Sequence, residues 1–265
     1  MYGIYQDNNH IPDSFDIYFN YLKNVNGEIR SPIEYSHNII SCFADNKTAQ
    51  ENPELIAVSA QGKATRFDSK EKFYCDWICP SKKAYKDSII KLVADTVSNK
   101  NVAGIHLDSI GFPHKDYCVC NDCISNWKAS GLKFSEWKQQ IITEFVNDVA
   151  QNCKAKELSV SLYPDPIHPE RFGLDIEALE KIVDFFVVPL YDMKYLSIYW
   201  IEILLNAFAQ RISKPLYIML YAEDVEIKNL VKAAELVKHY TKNIVFSYNV
   251  ENAKRAISEL KHNII

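Results

Sequence analysis

Glycine is scarce, with 7 in 265 residues, and no two stand in a G-x-G or GK[ST] context. Dinucleotide folds and P-loops, which need glycine where backbone meets phosphate, are therefore excluded. Arginine is scarce as well: five of the 30 cations are Arg, so phosphate-rich ligands that favour forked guanidinium contacts are not signposted. Against 34 acids those cations leave a net charge of −4, without the basic excess of a nucleic-acid footprint. No apolar run approaches the roughly 18 residues of a membrane span, and the opening ten residues lack the basic and apolar regions of a signal peptide. The expectation is a cytoplasmic protein with neither a nucleic-acid nor a membrane partner.

What is present is a globular composition, 48% hydrophobic and 24% charged, at a length usual for one eight-stranded α/β barrel. Apolar, β-branched or aromatic runs at 102–107, 158–163, 185–191, 216–221 and 244–248 read as strands. Between them lie helical patterns at 82–99, 134–153, 175–183, 195–211, 224–240 and 250–262. Strand, helix, strand at these lengths forces parallel pairing, because the crossover helix returns the chain to the same sheet. Candidate early strands at 16–19, 39–43 and 55–59 bring the count to eight. The fold class expected is a single-domain (β/α)8 TIM barrel over residues 1–265, with an open parallel sheet as the alternative.

Each clear strand ends in polar groups, and in a parallel barrel all those ends open on one rim. Asp108, Asp165, Asp192, Glu223 and Asn249 would meet there, with Tyr163, Tyr191, Tyr221 and Tyr248 just before the polar residue in the last four. Carboxylates accept hydrogen bonds from hydroxyls and aromatic faces cover the C–H face of a sugar, so this mouth suits a neutral polyhydroxyl ligand. Glycoside cleavage needs two carboxyl groups in different protonation states. Strand-end acids can equally cap the following helix, the plainer reading for Asp175 and Asp224. His106 shares a strand face with Asp108 and is read as its orienting partner, a sugar contact or a plain buried histidine.

Seven cysteines is an odd number, and three fall in Cys118-Val-Cys120-Asn-Asp-Cys123. Thiolates at that spacing can wrap one soft tetrahedral ion, and zinc is the expected cofactor. Cys79 is the leading fourth ligand, Cys75 the reserve, and Asp116 or His114 could replace a cysteine. Four thiolates leave no open coordination position, so the metal's role would be structural.

The runs Ile78-Cys-Pro-Ser-Lys-Lys-Ala-Tyr, Gly104-Ile-His-Leu-Asp108-Ser-Ile-Gly-Phe-Pro113 and Cys118-Val-Cys-Asn-Asp-Cys123 resemble a group of barrel glycoside hydrolases and hydrolase-like proteins. Those proteins show CPxxxxYR, GIHLDxIRYP and CxCxxC in the same order. The cysteine arrangement is also similar to the structural zinc site of one β-galactosidase family, where a cysteine placed like Cys79 completes the tetrahedron. The likeness covers about residues 39–127 and departs from the pattern twice. Gly111 stands where the pattern has Arg, and Asp108-Ser109 stands where the β-galactosidases have an Asn-Glu pair.

The resemblance implies an enzyme that cleaves O-glycosidic bonds in a carbohydrate substrate. By likeness to retaining α-glycosidases, Asp108 would be nucleophile or electrostatic stabiliser and Asp192 the acid/base, with Glu223 in reserve. His106, Asp165, Tyr163, Tyr191, Tyr221 and Asn249 would bind substrate. The runner-up is a non-catalytic carbohydrate-binding barrel with a structural zinc loop. Metal-dependent hydrolysis through His106, Asp108 and His168 is a third reading.

Overall fold

The computed structural model describes residues 1–8, 10–67, 70, 72–153 and 156–262. Eight parallel strands close into a barrel: β1 (Tyr2–Gln6), β2 (Ile17–Lys23), β3 (His37–Ser41), β4 (Gly104–Asp108), β5 (Glu157–Ser161), β6 (Phe185–Pro189), β7 (Leu216–Tyr221) and β8 (Asn243–Ser247). Each pairs with its neighbours in chain order, and β1 returns to β8 with Tyr2 against Ile244 and Tyr5 against Ser247. The covering helices are α1 (Asn46–Glu51), α2 (Lys83–Val97), α3 (Asn121–Ser130), α4 (Phe134–Asn152), α5 (Ile176–Leu179), α6 (Tyr199–Arg211), α7 (Ile227–Lys238) and α8 (Val250–His262). Among the described residues no helix is long and apolar enough to cross a membrane.

Strand alternation sorts the side chains into two cores. Ile4, Ile40, Ile105, Leu107, Val160, Phe186, Ile218 and Phe246 point outward and pack under the helices. Tyr5, Phe19, Tyr21, Ile39, Phe185, Val187, Tyr217, Met219 and Val245 fill the barrel interior. Helices face the outer core by their 3–4 spacing: α2 buries Tyr85, Ile89, Val93, Thr96 and Val97, and α4 buries Trp137, Ile142, Phe145, Val146 and Val149. Lys138 is the exception on α4. Its ammonium is buried against the rings of Phe112 and Phe134 and donates to the carbonyls of Arg171 and Lys115, tying two rim loops to the helix.

The barrel expectation is met, with two corrections among the early strands. Residues 55–59 do not supply a barrel strand: Pro53–Leu55 is a single 3-10 turn, and Val58–Ser59 pairs with Gly62–Lys63 in a small hairpin outside the ring. The missing strand is β1, a five-residue strand at the start of the chain. Helix boundaries shift too. α6 begins at Tyr199 and α7 at Ile227, because Tyr195 and Asp224 take left-handed backbone angles (φ 48° and 54°) that a helix cannot continue. Asp224 is therefore not a helix cap, whereas Asp175 does cap α5 by accepting from the Ala178 N–H.

Candidate active site

The C-terminal strand ends surround a cavity of about 610 Å³, a size suited to a small sugar or a segment of a larger one. Its wall includes Tyr5 and Tyr21 from the barrel interior, Tyr191 and Tyr248 from the ends of β6 and β8, Tyr74 from a loop and Trp200 from the first turn of α6. Asp108 and Asp7 are its two carboxyl groups, and neither Lys nor Arg lines it among the described residues.

Asp108, the last residue of β4, sits at the centre of a hydrogen-bond network. The Tyr5 hydroxyl lies 3.2 Å from the Tyr21 hydroxyl, which donates to Asp108 Oδ2 at 3.3 Å. Ser161 and the hydroxyl and N–H of Ser109 also hydrogen-bond to the carboxylate. Burial nevertheless dominates and raises the Asp108 pKa, those hydrogen bonds opposing it. Ser109 and Tyr248, each just beyond a strand end, have φ of 53° and 73°. Such left-handed angles on side-chain-bearing residues cost on the order of 1–3 kcal/mol and concentrate at functional rims.

Directly beneath lies His106, buried in the barrel interior, with Nδ1 2.9 Å from Ser159 Oγ and Nε2 2.9 Å from Ser161 Oγ. Burial, reinforced by His37 deeper in the barrel, depresses its pKa to about 3, so the ring is neutral. When Ser161 donates to Asp108, its oxygen accepts from His106 Nε2–H, and Nδ1 accepts from Ser159. His106 thus orients the Asp108 network and does not line the cavity.

The other expected site residues divide. Tyr191 lines the cavity, and Tyr221 packs beside it, 5.6 Å from the Tyr191 ring and 6.1 Å from Tyr248. Tyr163 does not line the cavity and stacks on Phe172 at 4.0 Å. Asp192, Asp165, Glu223 and Asn249 do not line the cavity. Asp192 Oδ1 accepts from the N–H groups of Lys194 and Tyr195. Asp165 accepts from Ile167 and His168 and pairs with Arg171 at 3.3 Å. Glu223 is exposed, and Asn249 caps α8 through the Asn252 N–H. The sequence reading does not include Asp7, one step beyond β1, nor Tyr5, Tyr21, Tyr74, Ser161 and Trp200.

Gly111 has a packing reason. A Cβ there would stand 2.7 Å from the Phe172 carbonyl oxygen and 3.1 Å from the Tyr163 ring, so the arginine of the resembled pattern has no room.

On the flank of the rim, Cys79, Cys118, Cys120 and Cys123 bring their sulfurs within 4.8 Å of one another. This donor set could hold a metal ion, since a tetrahedral ion with bonds of about 2.3 Å spaces its thiolates by roughly 3.8 Å. Cys118 also accepts from the Val58 N–H, and hydrogen bonds from the Cys118, Cys123 and Cys79 thiols drive Cys120 toward the thiolate that a metal requires. Cys75, His114 and Asp116 lie outside this cluster.

Among solved structures, the chain matches an α-L-fucosidase from Paenibacillus thiaminolyticus (TM-score 0.68, 13% identity, 99% of this chain and 49% of that one). It also matches the PgaB glycoside hydrolase domain from Bordetella bronchiseptica (TM-score 0.62, 11% identity, 86% of this chain and 73% of that one). The chain has the fold of glycoside hydrolase barrels. An α-galactosidase from Thermus thermophilus in complex with stachyose is a third match (TM-score 0.52, 10% identity, 93% and 58%). The chain spans about half the length of the fucosidase and galactosidase chains. No protein-family model and no curated protein matches it.

Proposed function

We propose that the protein is a glycoside hydrolase acting on neutral sugars, with Asp108 as the carboxyl at the bond that breaks. The observation that carries this reading is a desolvated carboxyl, held by Tyr21 and Ser161, on the floor of a tyrosine-walled cavity that no Lys or Arg lines among the described residues. The raised Asp108 pKa favours the protonated form, which suits a general acid better than the nucleophile or charge-stabilising role suggested by the sequence. Half-exposed aromatic rings at Tyr191 and Tyr248 offer stacking faces for the sugar. The fold match to glycoside hydrolases supports the same reading. A panel of neutral aryl glycosides tests it. Turnover of at least one is expected, and sugar binding without turnover of any would leave the non-catalytic carbohydrate-binding barrel in its place.

The four-cysteine cluster fits zinc, and with four thiolate ligands such an ion ties the rim loop to the start of α2 without touching substrate. Elemental analysis of purified protein should give one zinc per chain. Cys120→Ser should lose it and lower the melting temperature by about 5–10 °C, corresponding to a few kcal/mol. Full melting stability without the ion would count against the assignment.

A further inference from the structure

We infer that Asp7 is the second carboxyl of the site, the base that takes a proton from attacking water while Asp108 protonates the leaving oxygen. This inference rests on the hydrolase reading above.

Its first support is a repeated strand pattern. Gly3-Ile4-Tyr5-Gln6-Asp7 and Gly104-Ile105-His106-Leu107-Asp108 carry Gly, Ile and Asp at the same steps. In both strands the isoleucine packs outward in the helix-facing core. Tyr5 and His106 point into the barrel, where their rings meet edge-on at 5.8 Å. Two residues further on, the alternation brings each aspartate back to the inner side, and both line the cavity.

The chemistry of the two acids differs as a hydrolytic pair requires. Asp7 is open to water, and Arg30 Nη1 lies 2.5 Å from its Oδ1. Asp108 is desolvated. Tyr248 lines the same cavity, and its hydroxyl pKa is pushed up to about 12, mainly by burial and then by Asp108, with a smaller contribution from Asp7. The phenol therefore stays neutral and leaves the proton transfers to the carboxyls. Asp192 does not compete, because its Oδ1 is turned to the backbone of its own loop.

Spacing sets the expected stereochemistry. β1 and β4 are three strand steps apart in the ring. Inverting pairs stand roughly 6.5–9.5 Å apart and retaining pairs about 5–5.5 Å, and acids on strands that are not neighbours in the ring suit the wider class. A gap of that size admits a water molecule and corresponds to inversion. In the step, the C1–O bond breaks with its electron pair going to the leaving oxygen, which takes the Asp108 proton. Water oxygen bonds to C1 and gives its proton to Asp7. Asp7 then releases that proton to solvent and Asp108 regains one, so the net reaction is addition of one water across the glycosidic bond.

The experiment uses the full chain and the best aryl glycoside of the panel. Asp7→Asn should lower kcat by about 10²-fold or more with little change in KM, and azide or formate should restore part of the rate to Asp7→Ala. Nuclear magnetic resonance of the first released sugar should show the inverted anomer. Asp7→Asn within threefold of wild type, a retained anomer, or the full loss appearing in Asp192→Asn while Asp7→Asn stays active would each overturn the assignment and leave the hydrolase reading standing. An inactive wild type across the panel would overturn both. Circular dichroism checks folding, and if Asp7→Asn does not fold, Asp7→Ala decides: a rate within threefold of wild type, or a lost rate that neither azide nor formate restores in part, overturns the assignment.

Discussion

Replacing Asp108 with Asn is expected to lower kcat by about 10²-fold or more while leaving the protein as stable as wild type or more so. Both halves follow from the same burial. The native pKa of Asp108 is raised, so the folded state holds the proton more tightly than the unfolded chain. That stabilisation is present at low pH and is lost as pH rises through the native pKa, so at neutral pH ionisation opposes folding. Asn removes that opposition and can still accept from Tyr21 and Ser161 through its amide oxygen. Kinetics on the responsive glycoside, paired with urea unfolding at pH 7, checks the expectation. A rate within a few fold of wild type would remove Asp108 from the reaction. A parallel collapse of stability would recast it as a structural acid.

The second large effect lies one layer deeper. His106 has a native pKa near 3 against 6.5 for the free side chain, so the unfolded chain binds a proton that the folded one refuses. The stability this contributes is fully present above pH 6.5 and is lost as pH falls toward 3. At 1.36 kcal/mol per unit, the loss between pH 7 and pH 4 is roughly 3 kcal/mol. Asp108 acts in the opposite sense over part of this range, but equally in wild type and in a His106→Gln variant. The difference between the two urea-unfolding profiles therefore isolates the histidine. Wild type should lose about 3 kcal/mol more than the variant, and parallel profiles would show that His106 accepts a proton inside the barrel.

How far the sequence could be read depended on what marked each element. The five later strands were legible because each apolar run is separated from the next by a helical pattern long enough to enforce parallel pairing. β1 is hard to read because five residues with a glycine at the second position carry little strand signal; the match of residues 3–7 to the Gly104–Asp108 strand is the available clue. Asp108 and Tyr191 are legible because they continue inward-facing strand positions, whereas Tyr5 and Tyr21 lie on early strands that carry little signal and Tyr74 on a loop. Asp192 was not placed in the cavity because Pro189 and Tyr191 line it and the next residue falls on the alternate side, where a turn takes up its carboxylate. Asp165 and Asn249 were likewise absorbed by local N–H groups, a competition that residue type alone does not resolve. The cysteine cluster was legible to the residue, since C-x-C-x2-C leaves so short a reach that a fourth sulfur had to come from a neighbouring element. The motif order placed Cys79 there.

The seam between β1 and β8 has a consequence for biosynthesis. Met1 and Lys242, joined by a hydrogen bond across that seam, stand 241 positions apart along the chain. A polypeptide emerging from the ribosome must therefore carry β1 unpaired on one edge until β8 has been made. Contacts of such long range form late and slow folding. Whatever chemistry the ring supports can begin only after that last join, because the aspartate following the first strand has no fixed place before it.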